Sequence, residues 1–254
     1  FIFPSFDGLL IDGWIIKPRD FRIGKKYPMI LDVHGGPHWQ YGYNILHARI
    51  LQLFAANGYV VVFTNPRGST GRGQEFSDMC VGDLGGGDYK DLMAGVDYVL
   101  EKYDFIDSGR LGVTGVSYGG YMTNWITTHT NRFKAAVPIS SISNLVSMWG
   151  TGCNPLWFET DMGFMPMDDY ERAWEVSPLK HVRNCNTPTL FISGAWDFIT
   201  TVIQAEEMFT ALEKRGVDAA MAIYPNEGHV VSYQPRHTLD YHQRALSWFD
   251  KYLK

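Results

Sequence analysis

Short apolar runs alternate along the chain with longer amphipathic ones. The runs at 11–16, 28–33, 59–64, 111–114, 135–139, 189–193 and 219–224 are brief and predict strands. Several are apolar without a break, Val60-Val61-Val62-Phe63 among them, which suits strands covered on both faces. Between them lie segments with helical spacing. Residues 91–103 place Leu92, Val96, Val99, Leu100 and Tyr103 on one side. Residues 201–215 carry Ala205, Met208, Phe209 and Leu212, with Gly216 as the stop signal. Residues 118–130 and 239–253 predict two further helices. This alternation implies a mostly parallel sheet with helices on both faces. The segment 148–169 breaks the rhythm. It is rich in Gly, Pro, Met and aromatic residues and is expected to form an insertion or a lid-like loop.

Composition narrows the class. The chain has 254 residues, 45% hydrophobic and 19% charged, which is a folded globular composition suited to one α/β domain. A net charge of −5 with no basic stripe argues against nucleic-acid binding. No apolar run is long enough to span a membrane. No leader pattern stands at the start, where an initiator Met is also lacking. Cys80, Cys153 and Cys185 are sparse and irregularly spaced, so they are expected to be free thiols in a reducing, cytoplasmic setting.

The chemistry starts at Gly115-Val116-Ser117-Tyr118-Gly119, a G-x-S-x-G run between a predicted strand and a predicted helix. That is the setting of a nucleophile elbow, in which the glycines stand where a Cβ would collide with neighbouring chain. A serine hydroxyl needs a base, and the order on this type of scaffold is Ser, then Asp or Glu, then His. His229 follows the strand 219–224 through Pro225-Asn226-Glu227-Gly228, at the sheet edge that also carries Ser117. Asp197 leaves the preceding strand at that edge, just after Gly194. Asp218 is the weaker candidate acid, because it sits at the opposite end of its strand. The oxyanion donors are expected to be the N–H of Tyr118 and the N–H of Gly36 in Asp32-Val33-His34-Gly35-Gly36-Pro37. His34 and His38 are four apart, but glycine and proline intervene, so a helical zinc motif is excluded. No cofactor or metal motif appears, and Gly85-Gly86-Gly87 lacks the lysine of a phosphate loop. Trp149, Trp157 and Phe158 are candidates for an apolar substrate pocket, with packing of the insertion as the competing role.

These residues resemble the catalytic domain of the prolyl oligopeptidase family, on its acylaminoacyl-peptidase and dipeptidyl-aminopeptidase side. The likeness is carried by Asp7-Gly8, Ile11-Asp12-Gly13-Trp14, His34-Gly35-Gly36-Pro37, Asn65-Pro66-Arg67-Gly68-Ser69-Thr70-Gly71, Asp88 and Asp91. It continues through Gly115–Met122, Ser177-Pro178, Thr187-Pro188-Thr189-Leu190 and Tyr224–His229. The resemblance implies an α/β-hydrolase fold with a mostly parallel eight-stranded sheet, spanning residues 1–254. It implies no cofactor and a short peptide or acyl-peptide substrate, and leaves room for a homo-oligomer. It also implies peptide-bond hydrolysis, where the residues alone imply acyl transfer to water, so a carboxylesterase remains the alternative. Pro66 stands where the family usually has Tyr, a change expected at one wall of the site. The family's β-propeller has no counterpart in these 254 residues.

Overall fold

The computed structural model describes residues 1–42, 49–154 and 156–254. The strands are β1 (Ile2–Pro4), β2 (Leu10–Ile16), β3 (Tyr27–Val33), β4 (Val60–Asn65), β5 (Ile106–Val116), β6 (Phe133–Ile139), β7 (Thr189–Gly194) and β8 (Ala219–Tyr224). The helices are α1 (Arg49–Ala56), α2 (Gln74–Asp78), α3 (Gly87–Lys102), α4 (Tyr118–His129), α5 (Leu145–Thr151), α6 (Tyr170–Glu175), α7 (Val202–Lys214) and α8 (Pro235–Leu253). The eight strands form one sheet in the order β1-β2-β4-β3-β5-β6-β7-β8. The pairs β1–β2 and β2–β4 are antiparallel, and β4 through β8 run parallel.

The uninterrupted apolar strands are explained by two cores, one on each face. Met29, Leu31 and Val33 of β3, with Val60 and Val62 of β4, pack against Leu92, Val96 and Val99 of α3 and Met122 and Ile126 of α4. Their neighbours Ile30, Val61 and Phe63 point the other way, onto Leu51 and Phe54 of α1 and Trp248 and Phe249 of α8. The period-two alternation of a strand therefore buries every residue of β3 and β4. At the β7 edge, Phe191 packs with Met208 and Leu212 of α7.

Several boundaries differ from the sequence reading. β1 is three residues long, too short for a periodic signal, and is held by the burial of Phe3. β5 begins five residues before its apolar run, in the polar stretch Ile106–Arg110. α8 begins at Pro235, which suits a first helical turn. α7 ends as expected, with Gly216 at φ 73° beyond its last turn. The irregular segment 148–169 holds the end of α5 and one π-helical turn, Phe158–Met162. Among the described residues no helix is long and apolar enough to cross a membrane.

What positions the site is the common carboxyl edge of the parallel strands. Val116 pairs with Ile139, and Gly194 with Tyr224, so β5, β6, β7 and β8 release their loops side by side. At that edge a Cβ on Gly119 would lie 1.9 Å from the carbonyl oxygen of Val33, and one on Gly115 would lie 2.5 Å from it. Both contacts are with backbone, which cannot swing away. Gly119→Ala should therefore destabilise the protein by about 3 kcal/mol or more. Urea denaturation of the two proteins measures this, and a loss under about 0.5 kcal/mol, typical of a neutral surface site, would contradict it.

Candidate active site

Ser117 sits between the last residue of β5 and the first of α4, with φ 61° and ψ −121°. A non-glycine residue holds such a conformation only where its surroundings fix it. Here its N–H donates to Ile139 O at 2.9 Å, and its carbonyl accepts the Tyr121 N–H at 2.9 Å. Tyr118 opens α4, so its N–H has no carbonyl one turn earlier to reach. Its ring is buried, and its hydroxyl donates to Asp88 of α3, whose carboxyl burial pushes up to about 7.

The loop after β3 lies against this elbow. A Cβ on Gly35 would come within 2.8 Å of Val116 O and 3.2 Å of the Ser117 Cβ. Gly36 has φ 118°, and a Cβ there would meet the His38 nitrogen at 2.5 Å. His34 and His38 of this loop are structural ties. His34 Nε2 lies 2.9 Å from Ser69 Oγ, and burial pulls its pKa down to about 4, so the ring is neutral. His38 Nδ1 meets Gly68 O at 2.9 Å, and its Nε2 meets Asp161 of the insertion at 2.6 Å. Behind them, Arg67 grips the buried Asp91 through Nε and Nη2 at 2.9 and 2.8 Å. Pro66 is buried and accepts from Ser69 Oγ at 2.6 Å; it does not line the groove beside Ser117.

Asp197 and His229 meet at the same edge. His229 Nδ1 lies 2.9 Å from Asp197 Oδ2, and the Asp197 side chain is fully buried. The other carboxylate oxygen accepts the N–H groups of Ile199 and Thr200 at 2.9 and 3.0 Å. Asp197 thus closes its own turn; the helix cap is Thr201. Thr200 Oγ1 stands 2.9 Å from Asp197 Oδ2 and 3.2 Å from His229 Nδ1. A carboxylate at Nδ1 keeps the ring proton there and turns the lone pair of Nε2 outward. Asp218 is elsewhere, paired with Lys251 at 2.8 Å.

Ser117 and His229 border one groove of about 350 Å³, whose apolar wall includes Trp39, Tyr41, Ile50, Val116 and Val230. Trp149, Trp157 and Phe158 do not line it. Phe158 is buried in the larger core, and the two tryptophans pack against that core half-buried. Among the described residues no group of three His, Cys, Asp or Glu side chains is placed to hold a metal ion. No disulfide is formed: Cys80 and Cys185 are buried and Cys153 is exposed.

Three supports of this arrangement were not anticipated from the sequence. Thr200 is one. Ser140, at φ 45° just past β6, donates its hydroxyl to the His229 carbonyl at 2.7 Å. Glu227, two residues before the histidine, is fully buried and accepts the N–H groups of Tyr233 and Gln234, each at 2.9 Å, with His237 Nδ1 also at 2.9 Å. Its position in the loop before His229 was the only local signal; its partners lie later in the chain, in the return toward α8.

The architecture, with a serine elbow after β5 and an Asp–His pair on the loops after β7 and β8, defines an α/β-hydrolase. A family model described as Peptidase_S9, prolyl oligopeptidase family, matches residues 46–254, and the chain belongs to that family. It is 44% identical over 258 residues to "Uncharacterized peptidase YuxL" of Bacillus subtilis, covering 99% of this chain and 38% of that protein. It is 36% identical to "Dipeptidyl-peptidase 5" of Porphyromonas gingivalis, over 98% of this chain and 37% of that one. A solved acylaminoacyl peptidase in complex with Z-Gly-Gly-Phe-chloromethyl ketone superposes with a TM-score of 0.95 at 33% identity, over 100% of this chain and 41% of that one. The chain thus spans about two fifths of the length of the relatives it matches.

Burial alone would raise the Glu227 pKa, but the two N–H donors and the His237 imidazole outweigh it and hold the carboxyl below its ordinary 4.5. A carboxyl depressed on folding contributes stability above the unfolded value and loses it as pH falls through the folded one. Glu227→Gln should cost about 1–3 kcal/mol at pH 7, and less at acid pH, as the wild-type carboxyl begins to take up its proton. Denaturation curves at pH 7 and pH 3.5 check this; an equal cost at both would contradict it.

Proposed function

We propose that this chain is the α/β-hydrolase catalytic unit of a serine peptidase that cleaves short peptides or N-acylated peptides. The observation that carries the reading is the buried Asp197 held 2.9 Å from His229 Nδ1, with Ser117 on a strained elbow in the same groove. Ser117 Oγ attacks the scissile carbonyl and gives its proton to His229 Nε2. The oxyanion forms between the N–H groups of Gly36 and Tyr118. His229 then passes the proton to the leaving amine, and the acyl-enzyme is hydrolysed by a water that His229 deprotonates in turn. Asp197 fixes the ring and stabilises the imidazolium. The relatives are named as peptidases, which supports the peptidase reading and ranks the carboxylesterase reading second. The three free thiols support a cytoplasmic location.

We place the acyl-side subsite against the insertion. That segment is tied to the loop after β3, through His38–Asp161, and to the acid turn after β7, through the Cys153 N–H to Phe198 O at 2.6 Å. Trp149 and Trp157, half-buried, make its accessible face apolar, with Phe158 buried behind them in the core. Glu159, Asp161, Asp168 and Asp169 make it acidic, with no Lys or Arg between residues 149 and 169. The test is a panel of N-acylated aminoacyl arylamides that differ only in the residue before the scissile bond. Phe or Leu should be turned over at least about tenfold faster than Asp or Glu, a difference the size of one lost apolar contact. Ser117→Ala should lower turnover of all of them by about 10⁴-fold or more. Faster turnover of the acidic substrates would overturn the subsite. Turnover that survives in Ser117→Ala would overturn the mechanism.

A further inference from the structure

The groove beside Ser117 has a feature that hydrolysis itself does not use. Its walls are apolar, yet it is lined by one carboxylate, Asp32. Asp32 belongs to β3, where it pairs with Phe63 and Thr114 on the neighbouring strands, and it is 9% exposed. Tyr41, from the loop after β3, donates its hydroxyl to Asp32 Oδ2. Among the described residues no Lys or Arg lines the groove. His34, which does, is neutral and committed to Ser69. Among the described residues the groove therefore holds a carboxylate with no cationic side chain beside it.

Its location says which half of a substrate would meet that site. On the serine-peptidase reading above, His229 delivers its proton to the leaving amine, so the leaving half must lie against His229. The groove is lined by Ser117, His229 and Val230 together with Gly35, Trp39 and Tyr41. Asp32 lies opposite Thr114, three residues before the nucleophile. At ~3.3 Å per residue that is roughly 10 Å from Ser117 along the strand. A long side chain on the first leaving residue spans such a distance with an apolar stem and a charged tip, as Lys and Arg do; Ser and Thr do not.

We propose that Asp32 is a specificity residue of the leaving-group side, and that the groove takes a Lys or Arg side chain on the residue that follows the scissile bond. The stem lies along Trp39, Ile50 and Val116, and the cation meets the Asp32 carboxylate, whose second partner is the Tyr41 hydroxyl. Burial raises the Asp32 carboxyl to about 7, opposed by the Tyr41 hydrogen bond. Among the described residues, the other titratable groups facing it are Tyr41, His34, His229 and Tyr241. Below about 7 the carboxyl takes up a proton and loses its attraction for a cation, while Lys stays charged. The preference is therefore present above that pH and fades below it.

The test uses the full-length protein and two peptides with the same acyl half, one with Lys and one with norleucine after the scissile bond. The expected ratio of kcat/KM, Lys over norleucine, is about tenfold at pH 8.5, the size of one charge-assisted hydrogen bond, and near one at pH 5.5. The catalytic steps are the same for both peptides, so any pH effect on them cancels in the ratio. In Asp32→Asn the ratio should fall to near one at pH 8.5. In Tyr41→Phe, which keeps the carboxylate, it should persist. Should Asp32→Asn fail to fold, the pH series on the wild-type protein decides. Equal rates for the two peptides at pH 8.5, or a ratio that does not change with pH, would overturn the proposal and leave the peptidase reading standing. Cleavage of neither peptide would overturn the peptidase reading and this proposal with it.

Discussion

At the carboxyl end of β5 the chain turns back so tightly that the Val33 carbonyl occupies the space where side chains of residues 115 and 119 would stand. The rest of the site depends on that contact. It presses α4 onto the sheet and holds Ser117 at φ 61°. It also brings the loop after β3 against the nucleophile, so that the Gly35 backbone packs on Val116 and Ser117. The strain at Ser117 is held by its bonds to Ile139 on β6 and to Tyr121 in the first turn of α4, rather than by its own preference.

Two further layers keep the reactive groups in register. The first is backbone stitching between the acid turn and the histidine loop. Ala195 N–H reaches Tyr224 O at 2.9 Å, Trp196 N–H reaches Glu227 O at 2.8 Å, and a Cβ on Gly194 would collide with Gly228 O at 2.3 Å. The second is a relay of buried polar groups behind the loop after β3, running from Asp91 through Arg67 to the Ser69 and Gly68 partners of His34 and His38. Buried polar groups are costly unless paired, and here each pairing fixes a loop that touches the reacting atoms.

The sequence made the scaffold legible where a local rule operates. Strands buried on both faces announce themselves as apolar runs, so β4 stood out through Val60–Phe63, and β3 and β7 through the shorter Met29–Leu31 and Leu190–Ile192. The elbow was visible because a tight strand-to-helix turn demands glycine at both flanks. The placement of Asp197 and His229 at one edge followed from strand direction alone. What stayed hidden was long-range. β1 is held by Phe3 in a core that includes Ile11 and Phe76, α1 is a short helix, and Thr200, Ser140 and Glu227 act through partners on other elements. The pocket aromatics were ambiguous for the same reason, since Trp149 and Trp157 read alike whether they face a ligand or a core. The two buried carboxyls raised to about 7, Asp32 and Asp88, were equally silent, because burial is a property of the packed molecule.

The central claim is that Ser117 is the nucleophile and that His229, oriented by Asp197, activates it. The most direct measurement is to treat the protein with a fluorophosphonate, digest it, and locate the adduct by mass spectrometry, in wild type and in His229→Ala. The account predicts a single adduct on Ser117 in the wild type, forming about 10³-fold or more slowly once the base is removed. An adduct on another serine, or labelling of Ser117 at an undiminished rate in His229→Ala, would contradict it.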